Sequence, residues 1–89
     1  MSQFFVQDSS EVIEYQMSWA GVLPEGVTIS SSDWVSTGLT ISDEALEGDF
    51  TAAFVTGGIS GLKYELENMV ELSNGEYYKD TIFIFFEDK

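Results

Sequence analysis

Histidine, cysteine and arginine are all missing from this 89-residue chain, and each absence closes a class of chemistry. Without histidine a nucleophile triad lacks its usual base, and without cysteine there is no thiol nucleophile. The missing thiolates also remove disulfides and cysteine zinc sites, so packing and ladder hydrogen bonds alone must hold the fold. Positive charge is scarce: three lysines face sixteen acids, for a formal net charge of −13. Binding to nucleic acid needs clustered Lys or Arg against the phosphates, so neither DNA nor RNA is expected as a partner. The same sign argument excludes anionic membrane surfaces. The longest apolar run, IFIFF at 82–86, is far too short to cross a bilayer. MSQFFVQDSS has no charged n-region and no long h-region, so it does not read as a secretory signal.

What is present is apolar and aromatic. At 44% hydrophobic and 15% aromatic residues, the chain has the material for one core in one domain. The acids are spread along it, as a solvated surface requires. Period-two alternation dominates and long helical patterns are lacking, which predicts an all-β protein. In VIEYQMSW, Ile13, Tyr15, Met17 and Trp19 share one face, with Glu14, Gln16 and Ser18 on the other. AGVLPEG at 20–26 reads as a loop around the only proline, Pro24. In VTISSSDWV a change of phase before Trp34 suggests a bulge or a change of sheet. LTIS, an acidic loop DEALEGD at 43–49, and DFTAAFVTGG follow.

The clearest unit is the last. Alternating runs at about 63–72 and 77–86 flank Ser73-Asn74-Gly75-Glu76, and Asn-Gly between such runs predicts a hairpin. Tyr64, Leu66, Val70 and Leu72 face the core, and Asn68 falls on the inward phase, where it must find partners or mark an irregularity. Seven or so short strands predict an immunoglobulin-like β-sandwich over residues 10–89, with residues 1–9 an N-terminal arm or first edge strand. Tyr64 then sits where a tyrosine corner forms, or else is an ordinary core tyrosine.

No catalytic residue stands out. Carboxylate pairs lie on solvent faces, and GGISG at 57–61 precedes a strand and so is no phosphate loop. The 43–49 loop holds oxygens enough for calcium without EF-hand spacing, and solvated acid is the simpler reading. No metal or cofactor is expected. The informative stretch is TIFIFFE, where Ile82, Ile84 and Phe86 alternate with the equally apolar Phe83 and Phe85. One face packs inward, and the other needs a cover: QFFVQ with Phe4 and Phe5, a loop, or another subunit. The N-terminal arm is also a candidate to join a neighbour's sheet edge. Tyr15, Trp19, Trp34 and Tyr64 are expected to be structural.

In this order the motifs resemble a family of small tailed-bacteriophage virion proteins of the fiber-tail adaptor type. The residues that carry the likeness are Glu14, Tyr15, Trp19, Ile29, Ser31, Ser32, Trp34, Gly57, Gly58, Tyr64, Leu66 and Asn68, within about residues 10 to 86. This chain has Ser18 where the family has Asp, and Asn74-Gly75-Glu76 where it has a basic turn residue. The resemblance implies a non-enzymatic structural protein, assembled in the host cytoplasm into a virion in several copies or as a homo-oligomer. Its partners would be tail, fibre, portal-proximal or major capsid proteins. A capsid decoration protein is the alternative within that class. From another class, a secreted acidic module is the alternative, binding carbohydrate or calcium with Trp19 and Trp34 as a stacking platform.

Overall fold

A computed structural model describes residues 3–88, and every regular element among them is a strand. The strands are β1 (Gln3–Gln7), β2 (Ile13–Ser18), β3 (Ile29–Val35), β4 (Thr40–Glu47), β5 (Phe50–Thr56), β6 (Lys63–Leu72) and β7 (Tyr77–Phe86). They form a four-stranded sheet, β1-β7-β6-β3, and a three-stranded sheet, β2-β5-β4. This is an immunoglobulin-like sandwich in which the first strand runs parallel to the last, from Gln3 beside Ile82 to Gln7 beside Phe86.

The β6–β7 hairpin forms as the Asn-Gly signal predicts. Gly75 takes φ 91, a region open to glycine at no steric cost, and the Asn74 side chain accepts the Glu76 N–H at 3.0 Å. The resulting register turns Leu66, Val70 and Leu72 inward with Ile82, Ile84 and Phe86. Against them the second sheet supplies Tyr15 and Met17 from β2, Ala53 and Val55 from β5, and Trp19 just past β2. The phase change in VTISSSDWV is a bulge between Ile29 and Ser31. The Ser30 hydroxyl donates to the Glu71 carbonyl there at 3.0 Å, and the shifted phase turns Trp34 into the core. Its indole N–H is buried with no hydrogen-bond partner among the described residues.

The acidic segment corrects the expected loop. Residues 43–47 belong to edge strand β4, and only Gly48 and Asp49 remain to turn the chain into β5. A register shift between Ser42 and Ala45, with Asp43 at φ 50, breaks the alternation that would have revealed the strand. Charge on an edge strand also discourages another chain from pairing with it.

Among the described residues three polar side chains are buried, and each joins the sheets or braces them. Asn68 Oδ1 accepts from Trp19 Nε1 at 3.0 Å and from the Thr51 hydroxyl at 2.6 Å. Its Nδ2 donates to Ser32 Oγ at 2.9 Å and the Asp33 carbonyl at 3.0 Å, so the amide that sequence left unassigned is fully satisfied. Gln7 does similar work at the other end: Nε2 donates to the Glu11 and Val55 carbonyls at 3.0 and 2.9 Å, and Oε1 accepts from the Tyr15 hydroxyl at 2.8 Å.

Burial pushes the Tyr15 phenol up from 10.0 to about 12, and the Glu11 carboxylate adds to the rise. The fold therefore holds the protonated phenol. Its contribution to stability is complete below pH 10.0, declines as the pH climbs toward about 12, and then stops changing. The slope in that window should reach at most about 1.4 kcal/mol per pH unit. Urea unfolding across the window should show that extra loss in the wild type and not in Tyr15→Phe; identical slopes would dismiss it.

Tyr64 has the geometry of a tyrosine corner. Its hydroxyl accepts the Ile59 N–H at 2.9 Å, five residues upstream, while its ring meets Phe86 edge-on at 5.4 Å.

Candidate functional site

In the β1–β7 ladder, partners project to the same side of the sheet. Phe4 lies beside Phe83 and Val6 beside Phe85, and these four side chains form one apolar surface on the outer face. Phe4 is 59% exposed and Val6 49%, while Phe83 and Phe85 are half-buried. β1 therefore does not cover the second face of β7, which removes QFFVQ from the three covers considered for it; it lies alongside and extends that face. Exposed apolar residues gathered in this way mark an interaction surface more often than scattered ones do.

The rest of the sheet frames the patch with charge. On β6, Lys63 pairs across from Phe85 and Glu65 across from Phe83. The Lys63 ammonium stands 5.5 Å from the centre of the Phe83 ring, a cation–π distance. Further along, Lys79 and Glu67 are 3.3 Å apart, both exposed, a pair that contributes little to stability. Tyr77 hydrogen-bonds to Glu71, which raises its pKa.

Of the seven interface candidates, the structure divides the set. Ile82, Ile84 and Phe86 are in the core, at 3%, 0% and 0% exposure, because their phase on β7 points between the sheets. Phe5 shares that inward phase at the sandwich margin, where its ring meets Tyr15 edge-on at 5.2 Å. Phe4, Phe83 and Phe85 remain on the outer face. Sequence reasoning missed Val6, although its place two residues after Phe4 was signal enough once QFFVQ was read as a strand.

The other candidate chemistry loses its geometry. Trp19 and Trp34 are 6% and 5% exposed, so neither ring is available to stack on a sugar. Glu44 reaches back to accept the Trp34 backbone N–H at 3.2 Å. Among the described residues, no three His, Cys, Asp or Glu side chains are grouped to hold a metal ion. No helix there is long and apolar enough to cross a membrane.

A comparison with curated proteins gave no match. The family model described as "Podophage GP4 fiber-tail adaptor protein gp77" matches residues 7–85, from the last residue of β1 almost to the end of β7. That span takes in β2 to β6 and most of β7, with the Asn68 and Gln7 clamps, the Tyr64 corner, and Phe83 and Phe85 of the outer patch, while Phe4 and Val6 lie before it. The chain belongs to the podophage fiber-tail adaptor family.

Proposed function

We propose that the chain is a non-catalytic virion component that joins fibre to tail by protein–protein contact, docking through the outer β1/β7 face. One observation carries this reading: in a member of an adaptor family, Phe4, Val6, Phe83 and Phe85 lie together on a face that no other described strand covers. Each such side chain gains about 1.5–3 kcal/mol on full burial, so even partial coverage of four is a substantial docking energy. In this role residues 1–9 serve as the edge strand that completes the patch, and residues 10–89 as the body that presents it. The protein is present in the particle in several copies. The family match favours the tail over the capsid surface as its place.

The double variant Phe83→Ser/Phe85→Ser tests this. It should keep the fold, since both positions lie outside the core, yet its incorporation into particles should fall at least about tenfold, the loss expected from removing two buried anchors. Incorporation at the wild-type level would refute the docking face. A map of the virion with the protein distributed over the head would replace the fibre–tail role with capsid decoration.

A further inference from the structure

The outer side of the three-stranded sheet differs in kind from the β1/β7 face. Register turns Phe50, Ala52 and Phe54 of β5 outward, flanked by Glu14 and Gln16 of β2 and by Ala45 and Glu47 of β4. Ala45 and Ala52 are direct partners across the ladder. Their small side chains leave an open hollow of about 520 Å³, walled on one side by Phe50, which is 52% exposed. Glu14, Glu47 and Asp49 stand around it. Lys63 and Lys79 both lie on the other sheet, so no described lysine offsets these charges from its own strand.

An apolar floor inside an anionic rim has a definite complement. Arginine or lysine lays its methylene stem on apolar surface and keeps its charged head at the polar margin, and a guanidinium also stacks on an aromatic ring such as Phe50. A second copy of this chain is a poor occupant, because each brings a formal charge of −13 to the contact. Nucleic acid is repelled by the same sign. We infer that this hollow docks an arginine- or lysine-bearing segment of a second virion protein. Only the partner's place in the virion rests on the adaptor reading above; the chemistry of the hollow does not. The two outer faces of a sandwich point in opposite directions, so the chain presents one apolar and one cation-selective surface, facing away from each other.

The test uses the full chain and short overlapping peptides tiled along the tail and fibre proteins of the same phage, with binding followed by fluorescence anisotropy. Peptides carrying two or more Lys or Arg should bind, and physiological salt should weaken them. Glu47→Gln/Asp49→Asn should reduce affinity about tenfold, and Ala45→Arg, which fills the hollow from an exposed position, should abolish it. Phe83→Ser/Phe85→Ser should leave this binding unchanged. No binding by any peptide, equal binding of neutral peptides, or indifference to Ala45→Arg would overturn the inference. If Phe83→Ser/Phe85→Ser loses particle incorporation while the hollow binds nothing, this inference alone fails; the converse result sinks only the β1/β7 docking face.

Discussion

Replacing Asn68 with leucine should cost about 3–5 kcal/mol, because it strands several buried polar groups at once. The side chain is fully buried and makes four hydrogen bonds, to Trp19, Thr51, Ser32 and the Asp33 carbonyl. Leucine is close in size, so cavity formation is not the cause. The loss comes chiefly from the buried Trp19 indole N–H and Thr51 hydroxyl, which lose their shared acceptor at about 1–3 kcal/mol each, with a smaller part from the part-buried bonds to Ser32 and the Asp33 carbonyl. The Thr51 hydroxyl offsets part of it, since it already lies 3.3 Å from Trp19 Nε1 and can accept that proton. A domain of this size has only about 5–10 kcal/mol in total, so the variant should melt about 15–30 °C lower. Asn68→Asp separates the two halves of the amide: it keeps acceptors for Trp19 and Thr51 and sets a second oxygen against the Asp33 carbonyl. Urea unfolding that found less than about 1 kcal/mol lost in Asn68→Leu would mean the network does not hold the sheets together.

The second large effect is Gly58→Ala, for a different physical reason. A Cβ on Gly58 would sit 2.3 Å from two ring carbons of Phe86. Phe86 is fully buried and has Tyr64 edge-on against it, so the ring has no free direction in which to retreat. Overpacking of this kind costs about 3 kcal/mol and should displace the Tyr64 corner as well. Phe86→Leu makes room, so in the double variant most of the Gly58→Ala penalty should vanish, a coupling of about 1–2 kcal/mol in a double-mutant cycle. Strict additivity would show that the contact is not the cause. The neighbouring Gly57 is the control: its φ of 93 makes alanine a backbone problem there, which a smaller residue at 86 does not relieve.

Where alternation was clean, the fold was legible. Trp19 shares a phase with Tyr15 and Met17, and the Asn74-Gly75 turn set the register of the final hairpin. Trp34 was harder because the bulge at Ser30 shifts the phase before the chain reaches it. β4 was misread for a related reason, since Asp43 and Glu44 bulge out of an edge strand that has few apolar residues to show a period. IFIFF was a different difficulty. Both phases of β7 are apolar, so periodicity predicts that one side needs a cover and does not say which; only the packing of the second sheet against Ile82, Ile84 and Phe86 shows that Phe83 and Phe85 are the outer pair. Asn68 lay on the inward phase in sequence, but its partners come from three other segments, and no local pattern joins them.

The parallel pairing of β1 with β7 has a mechanical side. A pull along the strand axis, applied at Gln3 and at Phe86, draws the two strands past each other, so the five paired positions bear the load together. An antiparallel pair pulled from its open end would instead peel apart one bond at a time. The bond from Glu87 N–H to the Gln7 carbonyl and those from Ser9 to Asp88 prolong the same seam beyond the strands. The first strand thus locks the last against shear, the direction in which a part held between two bodies is strained when they are drawn apart.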